Sequence, residues 1–245
     1  MNSFSGLAVV TGASSGIGRA TAERLRDEGM DVVAVDINED TLKTLNGVTH
    51  LVADLSKESD RDKVVVAGKG ARALVNAAGL IRVKKILDFT PQDIRDIYAV
   101  NVEAVWDLMS RIGRTIPAGG AIVNISSVSA KLTTTQETAV YASSKAAVVA
   151  MTRSFAYAFA PNNVTVNSIL PGIVDTPMQD IVLERLAEIR GVSIEQISVN
   201  RLLSVPLGRT STPSETAGFI KFLISSEGSY ITGQALSQDG GLVTY

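Results

Sequence analysis

The chain has 245 residues, of which 45% are hydrophobic and 20% charged, and its formal net charge is −2. This length fits one α/β domain, with or without a small added lobe, and the apolar fraction predicts a globular protein with a sizeable core. The charge argues against a nucleic-acid-binding surface. No run approaches the roughly 18 apolar residues that span a membrane, and the first residues lack the pattern of a secretory signal. We therefore expect neither nucleic acid nor a membrane as a partner.

Two residue types with metal and redox chemistry are nearly absent. The chain contains no cysteine and a single histidine, His50. Disulfides, thiolate metal sites and a cysteine nucleophile are excluded, and the composition suits a reducing cytoplasm, where we expect the protein to be. His50 begins a predicted strand and is interpreted as structural, so no metal site is expected.

The first predicted elements form a strand, a glycine-rich turn and a helix. Leu7–Val10 is apolar, Thr11–Gly18 follows with glycines spaced Gly-x-x-x-Gly-x-Gly, and a helical pattern starts at Arg19. Glycine permits a tight turn, and the N-terminus of the next helix attracts a phosphate. This order favours a phosphate-binding turn over a tight βα turn without a ligand.

The second predicted strand, Asp31–Asp36, ends in an acid 18 residues beyond Gly18. That spacing is typical of the acid that meets the adenosine ribose hydroxyls of NAD, and a carboxylate there would repel the extra phosphate of NADP. Neither Ser15 nor Ile37 is a lysine or arginine that would attract that phosphate. The alternative is that Asp36 is only the N-cap of a short helix at Glu39–Leu45.

The alternation of strands and helices continues to the end of the chain. Further strands are predicted at Thr49–Asp54, Ala73–Gly79, Ala121–Ser127, Val164–Ile169 and Ala235–Gln238, and further helices at Ser59–Ala67, Pro91–Ile112, Val140–Ala160 and Ser214–Leu223. This order predicts one α/β domain over residues 1–245, with about seven parallel strands and helices on both faces. Ligands of such sheets bind at the carboxyl ends of the strands.

The segment from Val174 to Pro206 departs from this alternation. Its apolar residues are spaced among charged ones, which predicts one or two amphipathic helices. We interpret residues 175–206 as a substrate lid, the alternative being elaboration of the fold. Its polar residues Arg185, Glu188, Arg190 and Gln196 either cover a polar substrate or are simply solvated.

Tyr141 and Lys145 lie four residues apart on a predicted helix, so their side chains share a face. An ammonium beside a phenol lowers the phenol's pKa from its usual value near ~10 and makes it a better proton donor and acceptor. The alternative for such a pair is surface packing.

The motifs occur together in one order. They are Thr-Gly-x-x-x-Gly-x-Gly at Thr11–Gly18, Asn-Ala-Ala-Gly at Asn76–Gly79, Asn101, Ser127, Tyr-x-x-x-Lys at Tyr141–Lys145 and Pro171-Gly172. Together they resemble the short-chain dehydrogenase/reductase family over nearly the whole chain. The resemblance implies a single doubly wound, Rossmann-type domain and an NAD-preferring oxidoreductase.

The resemblance also implies roles for the matching residues. Tyr141 would exchange a proton with the substrate oxygen, Lys145 would hold the nicotinamide ribose, Ser127 would orient the carbonyl and Asn101 would hold a relay water. The implied cofactor contacts are Gly12, Ser14, Ser15, Gly16, Ile17, Gly18, Asp36, Ile37, Asp54, Leu55, Asn76, Ala77, Gly79, Tyr141, Lys145, Pro171, Gly172, Ile173, Val174 and Thr176.

Two departures from the family pattern are visible. Ala77 replaces the usual second asparagine of the turn, and we expect little effect because Asn76 and Gly79 remain. Ser127 lies 14 residues before Tyr141 where many members have 13, which indicates an extra residue in the 130–139 loop. Ser127 and Ser129 are both candidates for the catalytic serine, and Ser127 is favoured because it directly ends a strand.

The expected reaction is hydride transfer between NAD(H) and a secondary alcohol or ketone, with a polyol, hydroxy acid or sugar acid as the substrate class. One alternative is a 3-oxoacyl thioester (acyl carrier protein) reductase, against which Asp36 argues because that activity typically prefers NADPH. The other is a catalytically silent NAD-binding module, against which the intact residue set argues. The apolar helices at residues 103–112 and 146–160 predict an oligomer, and the resemblance implies a homotetramer or homodimer.

Overall fold

The computed structural model describes residues 4–133 and 135–244. Its strands are β1 (Leu7–Thr11), β2 (Asp31–Asp36), β3 (Thr49–Val52), β4 (Ala73–Asn76), β5 (Ala121–Ile125), β6 (Thr165–Pro171) and β7 (Ala235–Gln238). These strands form one seven-stranded sheet in the order β3-β2-β1-β4-β5-β6-β7, and every pair is parallel. The predicted fold class is confirmed.

The chain reverses its direction of progress across the sheet between β1 and β4. After β3 forms one edge, β4 pairs with β1 on the opposite side, with Val9 beside Leu74 and Thr11 beside Asn76. Ligands of open parallel sheets bind at such a switch point, outside the carboxyl ends of the strands. This topology predicts the site at the ends of β1, β2, β4, β5 and β6.

Helices cover both faces of the sheet. They are α1 (Gly16–Asp27), α2 (Glu39–Leu42), α3 (Glu58–Ala67), α4 (Pro91–Tyr98), α5 (Ala104–Ile112), α6 (Ala139–Phe159), α7 (Pro177–Arg190), α8 (Ile194–Leu202) and α9 (Pro213–Ile224). Alternate strand residues face opposite sides, so Val9 packs with α3, α5 and α6, whereas Ala8 and Val10 pack with α1, α2 and α9. The two cores therefore lie on the two faces of one sheet.

The predicted long helix from Pro91 to Ile112 is interrupted. Thr90 caps α4 with a capping box, as the Thr-Pro pattern predicts. Residues Ala99–Glu103 then form a π-helical turn before α5 begins. Asn101 lies in this turn with its side chain fully buried. Asn101 thus marks a widened turn, and π turns are frequent at functional sites.

The 175–206 segment forms α7 and α8, as predicted. Val182, Leu186, Ala187 and Ile197 pack with Val83 in a small apolar cluster of their own. This cluster lies apart from the two cores on the sheet faces, so the two helices are attached to the domain through a separate contact. Within the described chain, no helix combines the length and apolar character needed to cross a bilayer.

Candidate active site

A cavity of about 860 Å³ opens at the carboxyl ends of the strands. It is lined by the glycine-rich turn, the ends of β2, β4, β5 and β6, and the two helices of the 175–206 segment. All the sequence-predicted site residues line it except Asn76 and Asn101. The topology thus brings segments that are far apart in the sequence together around one cavity.

Each of the three glycines in the turn excludes a side chain for a different physical reason. Gly12 has φ +68°, and a Cβ on it would lie 2.8 Å from the Ala78 backbone. A Cβ on Gly18 would lie 2.0 Å from the Gly12 carbonyl oxygen, so this residue allows α1 to pack against the turn. Gly16 has φ +51° and approaches Thr176. At these positions any side chain would strain the turn.

The first turn of α1 leaves its backbone donors available. The N-cap Ser15 accepts no side-chain capping bond, and the first turn contains no acid. The first N–H groups of a helix have no partner within it, and the helix dipole makes this end positive. Since Ser15, Gly16, Ile17 and Gly18 line the cavity, the site offers an unneutralised cradle for a phosphate group.

Asp36 lies at the end of β2 on the cavity wall. One carboxylate oxygen accepts from the Ser14 N–H at 3.0 Å and the other from the Asn38 N–H at 2.9 Å. Each oxygen keeps a further lone pair for a ligand hydroxyl. The N-cap of α2 is Asn38, which accepts from the Thr41 N–H at 3.1 Å. The alternative role of Asp36 as that N-cap is therefore wrong.

The side chains of Asn76 and Asn101 are directed into the protein. Asn76 is buried and donates to Asn124 at 2.8 Å. Asn101 accepts from the Leu80 N–H at 2.7 Å and donates to Ser144 at 2.9 Å. Both residues support the cavity from behind in this arrangement. Direct contact of Asn76 with a cofactor and a water relay at Asn101 stay predictions.

The predicted Tyr141 and Lys145 pair is brought together on α6. The Lys145 ammonium lies 5.5 Å from the centre of the Tyr141 ring, and it donates to the Ile125 carbonyl at 2.8 Å. Lys145 is only 3% exposed, and this burial lowers its pKa to about 8.

The expected lowering of the Tyr141 pKa is not what the protein chain alone produces. Burial raises the Tyr141 pKa to about 12, and the hydrogen bond with the Ser127 side chain lowers it by less than burial raises it. Desolvation disfavours the charged phenolate, and here it outweighs the hydrogen bond with Ser127. Further positive charge or a stronger donor in the cavity is needed to lower the Tyr141 pKa toward neutrality.

The two candidate serines differ in their contacts. Ser127 is hydrogen-bonded to Tyr141 and also accepts from the Ser129 N–H at 3.1 Å. Ser129 lines the cavity as well. The contact with Tyr141 supports Ser127 as the serine that works with the tyrosine. The proposed extra residue in the 130–139 loop lies partly outside the described residues.

The 175–206 segment contributes two arginines to the cavity, Arg190, which the sequence singled out, and Arg201, which it did not. Arg190 forms two bonds of 2.9 Å with the buried Glu137, which joins α7 to the segment before α6. Arg201 of α8 also lines the cavity. Of the four polar lid residues that the sequence singled out, only Arg190 lines it, whereas Arg185 pairs with Glu188. Helical periodicity identified the segment but not which polar residues point inward.

No cluster of three or more potential metal ligands occurs among the residues that the structure describes. His50 contacts the Leu45 carbonyl at 2.6 Å through its ring nitrogen. This contact joins β3 to the end of the preceding segment, away from the residues that line the cavity.

The chain is similar to known proteins over nearly its whole length. Residues 12–243 match the family model described as Enoyl-(Acyl carrier protein) reductase. The chain is 32% identical to L-2,3-butanediol dehydrogenase of Corynebacterium glutamicum, covering 98% of this chain and 99% of the relative. It is 34% identical to 3-oxoacyl-[acyl-carrier-protein] reductase FabG of Thermotoga maritima, covering 96% of each chain.

A solved structure is also similar to this chain in its fold over nearly the whole length. A single-residue mutant of actinorhodin polyketide ketoreductase with NADPH superposes with a TM-score of 0.91, at 31% sequence identity and with 99% of each chain covered.

Proposed function

We infer the function from the family: the chain belongs to the short-chain dehydrogenases/reductases, and we propose that it transfers a hydride between NAD(H) and a secondary alcohol or ketone. The observation that carries this proposal is the convergence of Ser127, Tyr141 and Lys145 in the cavity that also contains the glycine-rich turn. This arrangement combines a proton donor with a dinucleotide cradle.

The residues present fit a dinucleotide. The uncapped start of α1 would receive the pyrophosphate, and the free lone pairs of Asp36 would accept from the adenosine ribose hydroxyls. Among the described residues that line the cavity, the cationic ones are Lys145, Arg190 and Arg201, and all three lie outside the segment around Asp36. A 2′-phosphate would meet the Asp36 carboxylate without a neighbouring lining cation, which supports NAD(H) over NADP(H).

The side chains of the protein would supply and position the proton that the substrate oxygen needs. The nicotinamide supplies or accepts the hydride when the cofactor is bound. As a hydride reaches a carbonyl carbon, negative charge develops on the oxygen. The Tyr141 hydroxyl donates its proton to that oxygen, and the Ser127 hydroxyl donates a hydrogen bond that stabilises it. In the oxidative direction the Tyr141 phenolate accepts the proton of the alcohol hydroxyl, and Ser127 keeps its hydrogen bond to the same oxygen.

Lys145 adjusts this transfer. Its bond to the Ile125 carbonyl fixes the ammonium near the Tyr141 ring, and its positive charge favours the phenolate. With a pKa of about 8, the side chain is largely protonated at neutral pH. Together with the positive charge of an oxidised nicotinamide, it would lower the Tyr141 pKa from about 12 toward the working range.

A second candidate is reduction of a 3-oxoacyl thioester. The matched family model and the Thermotoga maritima relative carry names that include an acyl carrier protein. This function predicts a preference for NADPH and activity on 3-oxoacyl thioesters, so a cofactor and substrate comparison separates the two candidates.

We also propose that the protein is a homotetramer or homodimer. Trp106 on α5 is 52% exposed and Tyr157 on α6 is 87% exposed. Large aromatic side chains left in water on neighbouring helices support burial against another copy. Light scattering at working concentration tests this, and a monomer would contradict it. A cytoplasmic location stays a prediction from the absence of cysteine.

The experiment that tests the proposed function is Tyr141→Phe. NADH binding, followed by fluorescence titration, should survive, because the glycine-rich turn and Asp36 keep their contacts and only one hydroxyl group is removed. Turnover of secondary alcohols and ketones should fall at least about 1,000-fold, since the proton donor is removed. Undiminished turnover would show that the mechanism is wrong, and absence of both NADH binding and turnover in the unaltered protein would reject the function.

A further inference from the structure

We propose that Arg201 is the receptor for a carboxylate on the substrate, so that the physiological substrate is a hydroxy acid or the corresponding oxo acid. This inference rests on the proposed function and names its substrate class. The observation behind it is an unpaired guanidinium in the same cavity as Tyr141.

Arg201 lies in the last turn of α8, and its backbone carbonyl accepts from Ser204. Its Nη1 atom is buried and has no hydrogen-bond partner. Within the described chain, the side chain makes no ion pair. A buried charge without a partner destabilises a protein strongly, so such a group is expected to have a partner in the functional complex.

The carboxylates of the cavity are engaged elsewhere. Asp36 accepts from two backbone N–H groups, Asp54 binds Ser56 and Lys57, and Asp96 pairs with Arg82 at 2.7 Å. No acid among the described lining residues is left for Arg201. An anionic partner for Arg201 would therefore be supplied by a bound ligand.

The local charge defines what kind of anion fits. Arg190 lies close enough to lower the pKa of Arg201 by charge repulsion, although burial lowers it more. Arg190 is itself neutralised by its two bonds to Glu137. Of the two arginines, only Arg201 then carries an uncompensated positive charge, which a single carboxylate balances. The planar fork of a guanidinium also matches the two oxygens of a carboxylate.

A chain of contacts connects Arg201 on α8 to the helix that carries Tyr141. Arg190 and Glu137 join α7 to the segment that precedes α6, the helix of Tyr141. α8 follows α7 and packs on it through Ile197 and Leu186. A carboxylate held by Arg201 would therefore be held in a fixed relation to the helix that carries the proton donor, which would present the remaining oxygen function of the substrate to Tyr141.

The test uses oxo acids and their methyl esters as matched probes with NADH: pyruvate, acetoacetate and levulinate. For at least one acid, kcat/KM should exceed that of its ester by about 100-fold. The ester lacks the charged carboxylate that would accept two hydrogen bonds from the Arg201 guanidinium. Arg201→Met should reduce this ratio to near 1, and Arg201→Lys should give an intermediate ratio. Equal or greater activity on all three esters would overturn the proposal.

A binding measurement keeps the test independent of turnover. At least one of the three acids should raise the melting temperature of the unaltered protein by several degrees, and its ester should not. Arg201→Met should abolish this shift and should itself melt a few degrees higher without ligand, because the unpaired charge is gone. No shift with any acid, or an equal shift in Arg201→Met, would contradict the assignment.

The matched control is Arg185→Met. Arg185 lies on the same lid, is exposed and pairs with Glu188 outside the cavity. It should keep the acid-to-ester ratio and the melting shift of the unaltered protein. Failure of the proposed function has a different signature, which is loss of NADH binding and of turnover on acids and esters alike. Activity on ketones with no preference for the acids would reject only the Arg201 proposal.

Discussion

Replacing Lys145 with methionine should stabilise the protein while it inactivates the enzyme. Lys145 is 3% exposed, and burial lowers its pKa from 10.5 to about 8. At neutral pH the folded protein must therefore hold a charged ammonium in an environment that disfavours charge. Methionine has a similar length and carries no charge.

The size of the effect follows from the pKa. Each pKa unit corresponds to about 1.4 kcal/mol, so the lowering to about 8 corresponds to about 3 kcal/mol of destabilisation. Loss of the 2.8 Å bond from Lys145 to the Ile125 carbonyl offsets about 1 kcal/mol of this. We expect Lys145→Met to raise the free energy of unfolding at pH 7 by about 2 kcal/mol.

The pH dependence distinguishes a charge effect from improved packing. Below pH 8, Lys145 is protonated in both the folded and the unfolded protein, and the destabilisation is fully present. Between pH 8 and pH 10.5 the unfolded protein binds more protons, so the stability of the unaltered protein rises with pH. The advantage of Lys145→Met should therefore shrink over this interval.

The assay is urea unfolding at pH 7, 8.5 and 10, at one fixed protomer concentration because association also contributes to stability. The control is Lys63→Met, which removes an exposed lysine paired with Asp60 and should change stability by less than about 0.5 kcal/mol. A less stable Lys145→Met protein at pH 7, or a gain that does not vary with pH, would refute the reasoning.

Two further predictions concern the serine and the turn. Ser127→Ala should lower kcat about 100-fold and Ser129→Ala by less than about 3-fold, because Ser127 is hydrogen-bonded to Tyr141; the reverse order in steady-state kinetics would move the catalytic role to Ser129. Gly18→Ala should lower the melting temperature by more than about 5 °C, since its Cβ would lie 2.0 Å from a backbone oxygen. Gly218→Ala, where the new Cβ meets no atom within 4 Å, should be neutral or slightly stabilising, and equal effects at Gly18 and Gly218 would contradict this explanation.

The fold could be predicted from the sequence because its signals are local and repeated. Apolar runs bounded by glycine or polar residues located all seven strands, and β2 and β7 have the predicted bounds. Strand ends were less accurate. β3 ends at Val52, two residues before Asp54, and β5 ends at Ile125, two residues before Ser127. Polar residues at a strand end turn out of the ladder to bond locally, as Asp54 does with Ser56.

Most of the candidate site could be predicted because strand ends converge in a parallel sheet. Asp36 and Ser127 line the cavity for this reason. Periodicity does not give the direction of a side chain in a widened turn or inside the sheet, so the inward orientation of Asn101 and Asn76 was not foreseen.

The pKa of Tyr141 and the pairing of Arg201 could not be predicted from the sequence. The spacing of Tyr141 and Lys145 predicted a lowered tyrosine pKa, whereas burial raises it to about 12. Desolvation depends on the whole surrounding structure, which a four-residue spacing does not describe. The unpaired state of Arg201 was hidden for the same reason, since it depends on what the distant acids bind.

The most direct test of the account is a parallel titration of the protein with NADH and NADPH, followed by a panel of secondary alcohols and ketones with the tighter cofactor. NADH should bind at least about 10-fold more tightly than NADPH, because Asp36 would accept from the ribose hydroxyls and repel a 2′-phosphate, and at least one ketone should be turned over. Tighter binding of NADPH would contradict the role of Asp36 and favour the thioester reductase. Binding of neither would leave the fold without the proposed chemistry.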